Sequence, residues 1–280
     1  MPYARYRLPS PNNNDKLTGR IVNGHDAYTG EIPYQLLLKL TTSSKKRRSC
    51  GGVLVETYGV QFALTAAHCV YDGYPTPFSA VNPKNVRIKA GVHDLKHKNE
   101  NEQVRTPTKV VMHEQYDHTN EAPAHDIAIM FYADPFKITG YVSTILLPGY
   151  MWALPERVEI SGWGSTTNIP KLTFPNILQV VEMKVISAKR CKKFEYYDNQ
   201  ITWRLLCLLE TSGTGTCRGD SGGPAAATNS TNGDWYLAGI LSYHIGACGS
   251  RTHPVIYMRV SAYIDWIHIQ VNEYINHLGW

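Results

Sequence analysis

Short apolar runs separated by turn residues dominate the chain. Segments 35–40, 52–56, 61–65, 85–90, 109–113 and 127–132 in the first half read as strands, as do 158–161, 178–185, 235–242 and 255–260 in the second. Gly, Asn and Pro fall between them, and the rhythm of strands alternating with long helices is missing. The pattern therefore predicts an all-β sandwich or barrel architecture. The period changes at the C-terminus, where Ile264, Ile267, Val271, Tyr274 and Ile275 recur at helical spacing. An amphipathic helix over residues 262–277 is the expected result. Residues 1–20 contain Pro2, Pro9 and Pro11 and a polar run at 12–15, the composition of an extended leader without a core of its own. Pro148 and Pro155 flank a crossing between halves. The expected division is a leader (1–20), a first β domain (21–145) and a second β domain carrying the terminal helix (146–280).

Composition narrows the function classes. The 280 residues are 43% hydrophobic and 18% charged, which excludes a disordered chain. No apolar run approaches the ~18 residues of a membrane helix. The net charge of +5 is small and scattered, so neither nucleic acid nor a membrane surface is an expected partner. The opening MPYARYRLPS is charged but lacks the apolar stretch of ~7–15 residues that a secretory signal needs. Six cysteines form an even set suited to three bridges in an oxidising compartment, and their number alone leaves every pairing open.

The sharpest segment is residues 216–224, TCRGDSGGP. Ser221 sits among Gly219, Gly222 and Gly223, which permit tight turns that aim several N–H groups at one point. A serine hydroxyl needs a base, and His68, at the end of the apolar segment LTAAHC (64–69), is the candidate. The base needs a group to fix its tautomer. Asp126 in AHDIAIM (124–130) precedes an apolar strand, where a carboxylate is costly unless paired. Residues 219–223 also fit the G-x-S-x-G elbow of α/β-hydrolases, but those run Ser, acid, His along the chain, whereas the order here is His68, Asp126, Ser221.

These motifs, with IVNG (21–24), CGG (50–52), ISGWG (160–164) and Ser242-Tyr243, resemble the chymotrypsin-like (trypsin-fold) serine endopeptidases from Ile21 to about Ile267. The resemblance implies two packed antiparallel six-stranded β-barrels with a C-terminal α-helix. It implies Ser221 as nucleophile, His68 as general base and acid, Asp126 as its orienting carboxylate, and the N–H groups of Gly219 and Ser221 as the oxyanion hole, the roles of the familiar triad template. It implies cleavage after Arg20 by an activating protease, freeing an Ile21 amine that pairs with Asp220. The implied bridges are Cys50–Cys69, Cys191–Cys207 and Cys217–Cys248, in a secreted protein.

By the same resemblance the specificity pocket has Gly215 at its floor, where trypsin-like members carry Asp. Thr216 lies beside it, and Ser242, Tyr243, His244 and Val255 form the walls. An uncharged floor with bulkier walls implies apolar residues on the acyl side of the cut. The family's calcium loop maps onto residues 91–103, where Val92 replaces the first acidic ligand, so no metal and no cofactor are expected. Protein or peptide substrates, protein protease inhibitors and a monomeric state complete the expectations. The basic run Lys45–Arg48 falls near the leaving-group side and would favour acidic residues there; its ordinary reading is a solvated charge run. The rival function is a catalytically silent homologue acting as a binding or regulatory protein.

Overall fold

The computed structural model describes residues 24–119, 123–165, 167, 172–194, 200–209, 215–244 and 247–279. Arg20 and Ile21 lie outside the described residues. The described chain begins with strand β1 (His25–Asp26), then forms β2 (Gln35–Thr41), β3 (Arg47–Thr57), β4 (Val60–Thr65), the short helix α1 (Ala67–Val70), β5 (Val86–Ala90), β6 (Gln103–Arg105), β7 (Lys109–Met112) and β8 (Ala128–Phe131). Seven of these strands make one antiparallel sheet in the order β6-β5-β2-β3-β4-β8-β7. Its two edges are successive pieces of chain separated by Thr106, Pro107 and Thr108. Pro107 has no N–H to give to a ladder. The path therefore leaves β5 after Arg105 and rejoins β8 at Thr108, whose N–H donates to Phe131 O at 2.7 Å. One bent path thus serves both edges, and the sheet curls into a half-barrel. Leu36, Leu37 and Leu38 are all buried, which is why β2 reads as an unbroken apolar run rather than an alternation.

The second sheet contains β9 (Arg157–Gly162), β10 (Gln179–Ile186), β11 (Leu205–Leu208), β12 (Pro224–Thr228), β13 (Trp235–His244) and β14 (Val255–Arg259), with helix α2 (Ala188–Cys191) between β10 and β11. The order β10-β11-β14-β13-β12-β9 closes through a β10–β9 ladder, giving a six-stranded barrel. Helix α3 (Ile264–Leu278) ends the fold, stopped by Gly279 at a positive φ of 77°.

Each end of the described chain crosses to the other sheet. His25 and Asp26 pair with Val180 and Gln179 of the second barrel. Helix α3 lies on the first sheet, where Tyr274 stacks on Phe131 at 4.2 Å between centroids and Trp266 Nε1 donates to Glu114 Oε2 at 3.0 Å. The six cysteines pair as Cys50–Cys69, Cys191–Cys207 and Cys217–Cys248.

The structure adds elements the apolar pattern does not predict. β12 reads PAAAT, and alanine carries little strand preference; its burial on both sides comes from neighbours distant in sequence. β3 starts at Arg47, so the second half of the basic run is paired strand, with Arg47 opposite Thr41 and Arg48 opposite Leu40.

Candidate active site

β4 delivers the chain into α1, which carries His68, and the Cys50–Cys69 bridge fastens α1 to β3. Asp126 follows a tight turn in which His125 has a φ of 56° and Ile127 N donates to His125 O at 2.8 Å. Its carboxylate is fully buried and accepts three bonds. His68 N donates to Oδ1 at 2.8 Å, His68 Nδ1 to Oδ2 at 2.7 Å, and Ser242 Oγ to Oδ2 at 2.5 Å. Burial pushes the Asp126 carboxyl up, but the His68 charge and the bonds from His68 and Ser242 outweigh it and hold the group below its ordinary 3.8. For His68, burial pulls the ring down, while the charge and bond of Asp126 win and hold it above 6.5. An ionised carboxylate only accepts, so Nδ1 carries the proton of the neutral ring and Nε2 is left as the basic atom.

Ser242 reaches Asp126 because the β13–β14 register shifts between Leu241 and Tyr243, a bulge that re-aims one side chain. Sequence reasoning placed Ser242 in the pocket wall and missed this bond. A small hydroxyl in the middle of an otherwise apolar strand was the available signal.

The serine loop is held by its glycines and by β3. Gly219 and Gly222 have φ of 105° and 78°, which L side chains rarely adopt. Ser221 O accepts from Gly51 N at 2.8 Å, and Thr65 Oγ1 in turn holds Gly51 O at 2.9 Å. The N–H groups of Asp220, Gly222 and Gly223 are all bonded within the protein. Those of Gly219 and Ser221 have no such partner among the described residues. Ser221 and His68 meet at a shared neighbour: Cys69 Sγ lies 3.8 Å from His68 Nε2 and 3.7 Å from Ser221 O. No hydrogen bond joins the Ser221 hydroxyl to the ring among the described residues; such bonds often tighten only with substrate in place. Cys50, His68 and Cys69 also form a compact group of ligand-type atoms. Both sulfurs are bound in a disulfide rather than free as thiolates, so the group does not fit a metal.

Asp220 is buried beside the serine. Gly164 N donates to Oδ1 at 2.6 Å and Cys217 N to Oδ2 at 2.9 Å. Burial nevertheless outweighs these two bonds and pushes the carboxyl up to about 6. No cation faces it among the described residues. A Cβ on Gly162 or Gly164 would overlap its oxygens.

At the expected specificity pocket, a Cβ on Gly215 would meet Gly249 Cα at 3.2 Å. Thr216 is buried, with its hydroxyl unpartnered among the described residues. His244 and Val255 are direct cross-strand partners, and Tyr243 is half-buried beside them. Burial, then the Arg218 charge, lowers the His244 ring below 6.5, so it is neutral near pH 7. In residues 91–103, Asn99 Nδ2 donates to Gly91 O at 3.2 Å and Glu102 lies 3.6 Å from Lys89 Nζ.

A family model described as Trypsin matches residues 21–267. Among curated proteins the chain is 33% identical over 249 residues to Trypsin-1 of Astacus astacus, covering 88% of this chain and 98% of that protein. It is 30% identical over 249 residues to Kallikrein-8 of Homo sapiens, covering 89% and 85%. Kallikrein-8 of Mus musculus matches to the same extent.

Proposed function

The chain belongs to the trypsin family and is a serine endopeptidase, and from that premise we propose that Ser221, His68 and Asp126 carry the reaction through an acyl-enzyme. The proposed division near residue 145 puts His68 and Asp126 in one half and Ser221 in the other. His68 Nε2 takes the proton of Ser221 Oγ as that oxygen attacks the peptide carbonyl. The resulting oxyanion is held by the N–H groups of Gly219 and Ser221, a donor pair of which each member is worth ~10²–10³ in rate. The His68 cation is stabilised by Asp126, then gives its proton to the leaving amine. Water, deprotonated by the same ring, releases the acyl group. The observation that carries this reading is the buried Asp126 carboxylate bonded to His68 Nδ1 at 2.7 Å, which fixes the basic face of the ring.

We further propose a zymogen. Asp220 lies next to the nucleophile with a carboxyl pushed up to about 6 and no described counter-charge. The amine freed at Ile21 by a cut after Arg20 supplies that charge. A buried ion pair that loses one partner costs ~3–5 kcal/mol, enough to decide the shape of the serine loop. The amine's pKa is raised by the pair, so the active form is favoured below that raised value and lost as pH climbs through it.

The floor at Gly215 carries no acid, and Val255 faces neutral His244. Selection on the acyl side then rests on apolar size, at ~0.8 kcal/mol per buried methylene. Aliphatic or aromatic residues are preferred over Lys and Arg. The three disulfides suit a secreted protein; protein substrates, protein inhibitors and a monomeric state are part of the same proposal. A positional-scanning peptide library tests the specificity: dominant cleavage after apolar residues supports it, and dominance of Arg or Lys overturns it.

A further inference from the structure

We propose that the cationic cleft beside the catalytic histidine binds an acidic segment of the substrate on the leaving-group side, about three residues past the scissile bond. The proposal rests on the peptidase reading above and names a substrate class for it.

The cleft has a volume of about 380 Å³ and is lined by Lys39, Arg47, Arg48, Lys84 and Arg87, with no acidic residue in its wall. The five cations come from separate pieces of chain. Lys39 is on β2, Arg47 and Arg48 on β3, Arg87 on β5, and Lys84 on the turn before β5. Strand register assembles them: Lys39 pairs directly with Arg87, and Arg47 with Thr41. Like charges directly opposite each other destabilise a sheet, so this arrangement weakens the fold it belongs to. None of the five forms an ion pair among the described residues. Two of them bond neutral atoms instead: Lys39 Nζ donates to Ser49 Oγ at 3.0 Å, and Arg87 Nη1 to the carbonyls of Lys84 and Val86, both at 2.9 Å. Nearby Lys89, by contrast, is matched by Glu102. The pKa of Lys39 is lowered, by burial and then by the charge of Lys89, as expected of a cation lacking a counter-ion.

The cleft is joined to the reaction centre at two points. Arg48 Nη1 donates to His68 O at 3.3 Å and also to Tyr71 O. The strand that carries Arg48 continues to Gly51, which bonds the carbonyl of Ser221. Three residues of extended strand span ~10 Å, so an extended substrate leaving the site covers the same distance in three residues. The acyl side is assigned to β13 of the second barrel, so this first-sheet surface receives the opposite side. That continuity with the path of the substrate favours an acidic peptide over a free sulfated polysaccharide.

The test uses the full chain cut after Arg20 and internally quenched peptides that share one acyl-side sequence. The third residue past the cut is Asp, Gln or Lys. At ~0.01 M ionic strength kcat/KM should be about fivefold or more higher for Asp than for Lys, the size expected of a few exposed ion pairs. The ratio should approach one near 1 M, where the screening length falls from ~30 to ~3 Å. Lys39→Glu with Arg87→Glu should invert the preference, and the milder Lys39→Gln with Arg87→Gln should flatten it. Lys189→Glu on α2 should leave it unchanged. A ratio within twofold at low salt overturns the proposal, as does a preference that the cleft variants do not move. So does a heparin oligosaccharide whose affinity falls in those variants while the peptide ratio stays flat. A p-nitroanilide substrate, which has no leaving-side residues, separates the two readings. If the cut chain does not hydrolyse it, the peptidase reading fails and takes the subsite with it. Hydrolysis together with a flat ratio overturns the subsite alone.

Discussion

Replacing Ser242 by Ala removes one hydroxyl and tests how the buried carboxylate is kept charged. Ser242 is 4% exposed and its Oγ lies 2.5 Å from Asp126 Oδ2, a carboxylate with no access to water. A hydrogen bond to a charged group is worth ~1.5–3 kcal/mol. We therefore expect Ser242→Ala to lower unfolding free energy at pH 7 by ~2 kcal/mol, a large part of the ~5–15 kcal/mol typical of a domain. The same loss destabilises the charged Asp126–His68 pair formed during the reaction, so kcat/KM should fall ~10- to 100-fold. Asp126 has a depressed folded pKa, so its stabilisation is present above 3.8 and lost as pH falls through the folded value. The penalty of the substitution should accordingly shrink at the acid end of that window. Urea titrations of both proteins from pH 7 downward, with Asp126→Asn and the double variant to complete the cycle, measure it. A penalty below ~0.5 kcal/mol at pH 7, or one that is unchanged in the Asp126→Asn background, would mean that Ser242 does not hold the Asp126 charge.

Arg20→Gln should leave the chain uncut and nearly inactive in peptide hydrolysis; full activity from the uncut variant contradicts the activation scheme. His68 must be neutral to accept a proton and its pKa is raised, so the acid limb of kcat/KM should have its midpoint above 6.5. A midpoint below that value in a pH–rate profile contradicts the Asp126–His68 coupling. Gly164→Ala places a methyl group against the Asp220 oxygens and should abolish activity even after cleavage, measured by ester hydrolysis. Breaking Cys217–Cys248, which closes a sequence separation of 31, should cost ~3–4 kcal/mol by loop entropy, read from denaturant midpoints.

The expected fold was legible wherever the chain has strong strand formers. Segments 61–65, 109–113 and 127–132 each became a strand within a residue or two, because β-branched and aromatic side chains fit a pleated, half-buried surface. β12 was invisible for the opposite reason: its alanines acquire strand character from the packing of β9 and β13, which lie elsewhere in sequence. At the site, the expectation for His68, Asp126 and Ser221 came from the residue types that nucleophile, base and orienting acid need, together with the family resemblance. The partnership of Ser242 with Asp126 spans 116 positions and depends on a one-residue register shift, which no local pattern encodes. The cationic cleft was half visible. Arg47 and Arg48 stood out as part of a run, but the pairing of Lys39 with Arg87 that completes the surface exists only once the strands are aligned.

The proposed reaction depends on His68, oriented by Asp126, activating the hydroxyl of Ser221 once the leader is cut. The most direct measurement is labelling of the cut chain with a fluorophosphonate probe, with the modified residue located by peptide mass spectrometry. We predict rapid modification of Ser221, slowed by orders of magnitude in His68→Ala. Absence of label on Ser221, or equal rates with and without the imidazole, would mean that His68 does not activate this hydroxyl.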